Sequence, residues 1–263
     1  MTAHAERSAA VPGGELRVWE KGAGPAICFF AGVVGLPRWL PVLDRLAEAH
    51  RVAAPSLPGA PGGHSADLLD DHVDWLLAAR DAHRAAETDG GALIGASTGG
   101  ALAADVAAVW PRAVGKLVLI APFGMFDEAE PIADIFAQRP RDRSPLLTNR
   151  PEELDAYTAC GSDDADQALE WDIAMQRANN AAARLLWPLG DTRLATRLGR
   201  IACPTLLLRG ADDRVMPRSY AARMADAISG PATIREIAGA GHMAEFDRPD
   251  EVAEAIAAFL AGG

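Results

Sequence analysis

Short apolar runs alternate with segments of helical periodicity along most of the chain. The apolar runs predict strands at 15–20, 26–30, 51–55, 92–95, 116–121, 205–210 and 233–238. Helical patterns fall near 38–48, 67–86, 98–109, 217–228 and 249–261. Alternating strands and helices are typical of βαβ units. The runs from residue 92 onward are nearly continuous, which is typical of buried parallel strands. The pattern predicts an α/β fold, with a mostly parallel sheet flanked by helices.

The alternation stops between residues 122 and 200. This stretch has turn signals, a charged run over 139–143 and no convincing strand. Helical patterns within it predict helices at 151–159, 164–185 and 189–199. A connection of this length needs structure of its own inside a compact domain. We therefore predict a core made of residues 1–121 and 201–263, with a helical insertion over 122–200.

Composition limits the classes of partner that the protein can bind and the cellular compartments in which we expect it. The chain has 263 residues, 49% of them hydrophobic, and a formal net charge of −11. Such a charge repels phosphate backbones and anionic membranes, so we expect a small-molecule substrate rather than nucleic acid or membrane. Cys28, Cys160 and Cys203 are odd in number and far apart, which disfavours a disulfide framework. With no signal-like or bilayer-spanning segment, the sequence predicts a soluble cytoplasmic protein and leaves a homo-oligomer open.

One motif predicts a nucleophile. In the segment 95–99, of sequence GASTG, glycines lie two residues before and two residues after Ser97. A nucleophilic serine needs a tight strand-to-helix turn, and glycines let that turn approach its neighbours. An apolar run precedes this segment and a helical pattern follows it, so we predict Ser97 as the nucleophile. The alternative is a glycine-rich turn with an incidental serine.

A serine hydroxyl needs a base to remove its proton. His242 ends the loop sequence GAGH between a predicted strand and the last helix, which places its imidazole at a sheet edge. We predict His242 as the base, with a structural histidine or His64 as the base kept as alternatives. His72 and His83 are predicted to be solvated, and the acidic residues around His72 are interpreted as a solvated helix face rather than a metal site.

The base needs a carboxylate to fix its tautomer. The predicted strand 205–210 runs out into Asp212 and Asp213. We favour Asp213 because the chain has turned back over the sheet edge by that residue, while Asp212 is expected to stay solvated or to cap the turn. Asp127, after the strand at 116–121, is a third candidate.

The order Ser97, Asp213, His242 is the order that α/β-hydrolases use, and the chain resembles that superfamily from about residue 15 to 263. The matching motifs are GAGP, AGVVG, LPGAPGGHS, GASTGG, GADDRVMP and GAGHMAEFDRPDEV. The resemblance implies an α/β-hydrolase sheet of the eight-stranded type and makes the insertion over 122–200 the family's helical cap. It also implies chemistry without a cofactor or a metal ion.

Two positions depart from the family pattern. Ala31 and Gly32 stand where relatives usually carry His-Gly in the oxyanion loop, and Ser56 stands where many carry Asp. Oxyanion donors are backbone N–H groups, so the hole does not need the missing imidazole. By position the resemblance makes Val33 and Thr98 the donors. A serine nucleophile also argues against the haloalkane dehalogenase and epoxide hydrolase branches.

Residues and resemblance together predict a serine hydrolase that cleaves an ester, or a related acyl or C–C bond, through an acyl-enzyme or gem-diol type intermediate. We expect a small to medium apolar substrate, because apolar side chains are frequent in the cap. Candidate substrate-binding residues are Gly32, Phe123, Met125, Phe126, Trp187 and Met243. Arg177 and Arg184 are candidates for a substrate carboxylate, although a surface role is favoured. A lyase or perhydrolase, or a ligand-binding protein without turnover, remains an alternative.

Overall fold

The computed structural model describes residues 3–188 and 190–262. Its strands form one sheet in the order β1-β2-β4-β3-β5-β6-β7-β8, in which β1, β2 and β4 pair antiparallel and the remaining pairs are parallel. The strands are β1 (Ala5–Val11), β2 (Gly14–Lys21), β3 (Ala26–Phe30), β4 (Arg51–Pro55), β5 (Ala92–Ala96), β6 (Lys116–Ile120), β7 (Thr205–Gly210) and β8 (Ala232–Ile237). The predicted α/β class with a mostly parallel sheet is confirmed.

Helices cover both faces of the sheet. They are α1 (Pro41–Leu46), α2 (His72–Ala85), α3 (Ser97–Val109), α4 (Pro140–Leu147), α5 (Pro151–Thr158), α6 (Ala165–Leu185), α7 (Ser219–Ala227), α8 (Ala244–Asp247) and α9 (Pro249–Ala261). Helices α1 and α9 pack together, whereas α2 packs on α3. Alanine and glycine dominate α3, which is buried almost throughout, and small side chains let it lie close to β5 and β6.

The two edges of the sheet differ from the sequence-based prediction. The first strand, β1, was not predicted, because its residues AERSAAV are mostly exposed and carry no apolar run. It pairs with β2 across a tight turn at Gly13, whose φ of +93° favours glycine. At the other edge β8 is mostly exposed, so the prediction of a buried strand there was wrong. The interior strands β5 and β7 are buried at every residue.

Between β6 and β7 the described residues contain helices and no strand. Helices α5 and α6 lie where the sequence predicts them, within a residue at each end. Helix α4 was not predicted, although Pro140 at its first turn is a helix-start signal. The helix predicted over 189–199 was wrong: the chain forms two short 3₁₀ turns there, at Leu194–Thr196 and Leu198–Arg200, and Leu189 lies outside the described residues.

Of the two histidines predicted to be solvated, His83 is not, and His72 is half-buried. His83 is fully buried on α2, where Arg80 donates to its Nδ1 atom (3.0 Å). His72 donates from Nε2 to the buried Asp105 of α3 (2.6 Å), which Arg197 also binds. Helix α2 is therefore covered on more sides than its polar sequence suggests, because α3 packs against it.

Along residues 3–188 and 190–262, no helix combines the length and the apolar character that crossing a bilayer requires.

Candidate active site

Ser97 lies at the turn between β5 and α3. Its φ is +52°, a left-handed conformation that costs a non-glycine residue on the order of 1–3 kcal/mol. Two neighbouring glycines make the turn sterically feasible. A Cβ atom on Gly99 would come within 2.4 Å of the carbonyl oxygen of Ala31, and one on Gly95 within 2.5 Å of the carbonyl oxygen of Gly99. The GASTG segment is therefore a strained strand-to-helix turn, the geometry that the sequence motif predicts.

Hydrogen bonds connect Ser97 to a histidine and a carboxylate. The Oγ atom of Ser97 is 2.9 Å from Nε2 of His242, and Nδ1 of His242 is 3.1 Å from Oδ2 of Asp213. A carboxylate only accepts hydrogen bonds, so the imidazole carries its proton on Nδ1 and its Nε2 accepts from the serine hydroxyl. In this arrangement the imidazole can remove the proton of Ser97.

Asp213 divides its two oxygens between the turn and the imidazole. Oδ1 accepts from the backbone N–H groups of Val215 (2.8 Å) and Met216 (2.9 Å), while Oδ2 faces His242. Burial alone would raise the pKa of this carboxyl. The charge of His242 and the hydrogen bonds from His242, Met216 and Val215 outweigh burial, so its pKa lies below the ordinary value. Asp213 is therefore ionised at neutral pH and oriented by its own turn.

The other candidates for acid and base lie elsewhere. Asp212 is exposed and accepts from Nδ2 of Asn149 (2.9 Å). Asp127 pairs with Arg223 and accepts from the backbone N–H of Ala129 (2.8 Å). His64 is buried beside the turn between β1 and β2, and its Nδ1 lies 2.9 Å from the carbonyl oxygen of Ser65. None of these groups contacts Ser97.

The loop that carries His242 is held by a carboxylate that the sequence analysis missed. Asp247 accepts from the backbone N–H of Gly241 (2.7 Å) and of Asn149 (3.1 Å) and from the hydroxyl of Thr148. It thus joins the loop before His242 to the segment after α4. The signal in the sequence was a carboxylate five residues after the histidine, which was quoted only as part of the motif GAGHMAEFDRPDEV and was given no role of its own.

Two backbone N–H groups near Ser97 are free to act as donors. Neither Val33 nor Thr98 donates its N–H to another group within the part of the chain that the structure describes. Thr98 is in the first turn of α3, where N–H groups have no partner inside the helix. Both residues and Gly32 line one cavity beside Ser97. Their placement fits an oxyanion site.

The hydrogen-bonded residues are enclosed. Ser97 is 2% exposed and His242 is 1% exposed. The ring of Phe123 lies edge-on to the imidazole at 5.3 Å, and its N–H donates to the carbonyl oxygen of Ser97 (3.1 Å). Met243 is buried and donates its N–H to the carbonyl oxygen of Leu147 (2.8 Å). The chain after β6 therefore covers Ser97 and His242.

A small cavity of about 40 Å³ lies beside the turn that carries Ser97. Ser56 and the backbone of the oxyanion loop form its core side. Its opposite side is one face of α6, made of Ala178, Ala181, Ala182 and Leu185. Phe126 and Trp187, which were predicted to wall this site, do not line it, and Trp187 is 80% exposed. Met125 is half-buried and packs on the core. The apolar face of α6 therefore forms the wall of the small cavity that aromatic residues were predicted to form.

A larger cavity, the cap cavity, lies between Val33 and Val34 of the oxyanion loop and helices α4, α5 and α6. Its volume is about 590 Å³. Apolar side chains such as Phe136 and Met175 share its lining with polar ones, among them Arg143 and Asn179. Val33 lines both this cavity and the small cavity, so both reach the loop at this residue.

A second buried carboxyl lies close to the histidine. Glu245 is on α8, and its Oε2 atom has no hydrogen-bond partner among the described residues. Burial raises the pKa of this carboxyl to about 7. The negative charges of Asp247 and Asp213 act in the same direction, whereas its own backbone N–H and the charge of His242 oppose the shift. Nothing in the sequence distinguished Glu245 from the exposed glutamates of the last helix.

Within the described residues, no group of His, Cys, Asp or Glu side chains is arranged to hold a metal ion. The acidic residues around His72 instead serve the fold. Asp71 and Asp74 form a reciprocal capping box at the start of α2.

Known proteins resemble this chain over nearly its whole length. The dihydrolipoyllysine-residue acetyltransferase component of the acetoin cleaving system of Cupriavidus necator is 28% identical over 276 aligned positions, covering 99% of this chain and 70% of that protein. A pimeloyl (acyl-carrier protein) methyl ester esterase of Xanthomonas oryzae pv. oryzae is 29% identical over 251 positions, covering 91% of this chain and 96% of the esterase.

A solved structure agrees with these similarities. A serine hydrolase involved in carbazole degradation superposes with a TM-score of 0.78 at 25% identity, covering 98% of this chain and 99% of that one. A family model described as the alpha/beta hydrolase family matches residues 22–255. The order of strands, the helices on both faces and this match over most of the chain lead to one conclusion: the chain belongs to the alpha/beta hydrolase family.

Proposed function

We propose that the protein is a cofactor-free serine hydrolase in which Ser97 is the nucleophile, His242 the general base and Asp213 the acid that orients it. The observation that carries this proposal is the continuous path of hydrogen bonds from Ser97 through His242 to Asp213, which starts at a strained turn. Similarity to a methyl ester esterase and to a serine hydrolase supports the same reaction class.

The geometry accounts for each step. His242 Nε2 takes the proton of Ser97 Oγ as Oγ attacks the substrate carbonyl carbon, and the carbonyl π bond becomes an oxyanion that accepts from the N–H groups of Val33 and Thr98. The tetrahedral intermediate collapses, the bond to the leaving group breaks, and His242 returns the proton to that group. Water, deprotonated by His242, then attacks the acyl carbon of the acyl-enzyme. The bond from that carbon to Ser97 Oγ breaks, His242 returns the proton to Oγ, and the acid leaves.

The substrate is a small molecule with an ester or a related acyl bond. The small cavity is apolar and takes a short apolar arm next to the oxyanion donors. A C–C bond next to a carbonyl would use the same residues, with water attack giving a gem-diol in place of the acyl-enzyme. We assign residues 1–121 and 201–263 to the core and 122–200 to the cap, and place the protein in the cytoplasm on its odd number of cysteines.

The test combines labelling with turnover. A fluorophosphonate probe should label the wild-type protein on Ser97, and p-nitrophenyl esters of graded chain length should be hydrolysed. Ser97→Ala should lose labelling and on the order of 10⁴- to 10⁶-fold in rate, with its melting temperature retained. Activity within tenfold of wild type in folded Ser97→Ala would remove this mechanism.

Other outcomes separate the alternatives. Labelling without turnover of any ester would indicate a binding protein that keeps a reactive serine. Formation of peracid when hydrogen peroxide is supplied would indicate a perhydrolase, and cleavage without uptake of water would indicate a lyase.

A further inference from the structure

An unpaired guanidinium lies in the wall of the cap cavity. Arg143, on α4, has its Nε and Nη2 atoms shielded from solvent, and neither donates a hydrogen bond to any of the described residues. Its Nη1 atom donates to Oδ1 of Asn179 on α6. Burial lowers the pKa of this guanidinium, but arginine stays protonated in proteins. A positive charge with two unused donors is therefore held inside the cap.

Carboxylates near Arg143 do not neutralise it. Asp155 and Asp172 also line the cap cavity, but both are exposed, and neither forms a salt bridge with Arg143. Asp155 is engaged elsewhere, since its Oδ1 accepts from the hydroxyl of Ser144 (2.6 Å). The ring of Phe136 lies 5.7 Å from the Cζ atom of Arg143 and covers one face of the guanidinium. An unpaired buried charge is unfavourable, and an anion that enters the cavity removes that cost.

The cap cavity reaches the loop that supplies a predicted oxyanion donor. Val33 supplies a predicted oxyanion donor and lines both the small cavity and the cap cavity. A carbonyl group bound at Val33 can therefore extend one arm into the apolar small cavity and the other past Val34 toward Arg143. The cap cavity has room for a chain of several atoms with a planar end group.

We propose that Arg143 binds a carboxylate at the far end of one arm of the substrate, so that the enzyme acts on esters or related acyl compounds that carry a negative charge. The Nε and Nη2 atoms form the side of the guanidinium that matches the two oxygens of a carboxylate in parallel hydrogen bonds. This inference rests on the proposed function for the reaction at Ser97, but the anion site itself can be measured without turnover.

Matched substrate pairs test the inference. The mono-p-nitrophenyl ester of adipic acid is compared with the p-nitrophenyl ester of adipamic acid, its neutral isostere, to test the acyl arm. 4-Carboxyphenyl butyrate is compared with its neutral isostere, 4-carbamoylphenyl butyrate, to test the alcohol arm. In at least one pair the wild type should prefer the carboxylate by about 10- to 100-fold in kcat/KM, the range expected for hydrogen bonds to a charged partner.

Variants locate the effect. Arg143→Gln should lower the carboxylate-to-amide ratio by about the same 10- to 100-fold, and Arg143→Lys, which keeps the charge but loses the planar fork, should lower it less. Arg177→Gln is the matched control, because this exposed arginine of α6 lines a different cavity. A wild-type ratio near one in both pairs, an equal loss on both members of each pair, or an effect of Arg177→Gln in place of Arg143→Gln would overturn the inference.

Binding separates this inference from the proposed function. Monomethyl adipate and methyl adipamate are titrated into folded Ser97→Ala by calorimetry, with and without Arg143→Gln. Tenfold tighter binding of the carboxylate that Arg143→Gln abolishes supports the anion site even if no ester is hydrolysed. Equal binding of the two compounds overturns the anion site even if esters are hydrolysed.

Discussion

The sheet and the segment that covers it differ in how their parts are joined. Strands and helices of the core pack through buried apolar side chains and close backbone approaches, such as that of Gly99 to Ala31. The segment between β6 and β7 also buries apolar side chains, such as Phe123 and Leu194, in that core, and arginines add hydrogen bonds to backbone carbonyls between the two parts. These bonds run from Arg38 to Ala159 (2.6 Å), from Arg150 to Phe246 (3.1 Å), and from Arg184 to Ala66 (3.0 Å) and Leu69 (2.7 Å).

This difference shows which part of the molecule opens most readily. A hydrogen bond at a wet surface has a small net worth, because water replaces it when it breaks. Separating core elements instead exposes apolar area, at about 25 cal/mol per Å². Ser97 and His242 are enclosed, so part of the chain that covers them has to move before a substrate can reach them. Only Leu154 of α5 and three residues of α6 are buried, whereas α3 is buried almost throughout, so we expect α5 and α6 to move at a lower free-energy cost than α3.

The largest expected effect comes from comparing two adjacent carboxylates. Asp213 contacts His242, whereas Asp212 contacts Asn149 in the segment between β6 and β7. Asp213→Asn should lower kcat by about 10⁴-fold, because the amide no longer holds the imidazole in the required tautomer. Asp212→Asn removes a carboxylate that accepts from Asn149 at the surface, and kcat should stay within about threefold. Steady-state kinetics on one ester measures both, and equal mild losses would mean that Asp213 is not the acid.

A second test concerns a buried charge where the two parts meet. Glu245 precedes Phe246, whose ring packs on Tyr157 of α5 at 5.5 Å. The folded protein keeps the Glu245 proton up to about pH 7, whereas the unfolded chain releases it near 4.5. The stabilisation from that bound proton is complete below pH 4.5 and is lost as the pH rises through 7. Glu245→Gln, which cannot ionise, should therefore raise the free energy of unfolding at pH 8 by about 3 kcal/mol.

Urea unfolding at pH 4.5 and pH 8 checks this expectation. The gain from Glu245→Gln should shrink toward zero at the lower pH, while Glu254→Gln, at an exposed position of α9, should change neither value. A gain of the same size at both pH values would show that packing, not ionisation, is responsible.

The smallest expected effect tests the arginine contacts directly. Arg184→Met should lower the free energy of unfolding by only about 1–2 kcal/mol, because it removes two hydrogen bonds to carbonyls at a partly exposed site. Limited proteolysis within α6 should nevertheless become several-fold faster. Arg177→Met is the control, since the Arg177 side chain forms no hydrogen bond with any of the described residues of the chain. A large loss of stability would show that the contact is part of the core.

Local pattern was enough to predict most of the core. The interior strands are continuous apolar runs. The spacing of glycines around Ser97 is specific for a strained strand-to-helix turn. The approach of Asp213 to His242 could also be anticipated, because each follows a strand and the carboxyl ends of neighbouring parallel strands meet at one edge.

The missed features depend on contacts between distant segments. Helix α4 is a polar stretch that packs against α5. The unpaired state of Arg143 depends on what surrounds it, and its neighbours in sequence gave no sign of burial. Trp187 was expected to be enclosed because it is large and apolar, but the chain turns outward after α6 and leaves it in solvent. Burial of this kind is a property of the assembled fold.

Val33 limits how this enzyme can be diversified. Its side chain lines both cavities, and its backbone N–H is a predicted oxyanion donor. A substitution that enlarges room for one substrate arm also reshapes the space for the other and shifts the loop that carries the donor. Selection for a new acyl group at this position therefore also changes the preference for the leaving group. Ala181 on α6 lines the small cavity but not the cap cavity, so a substitution there can change one preference without the other.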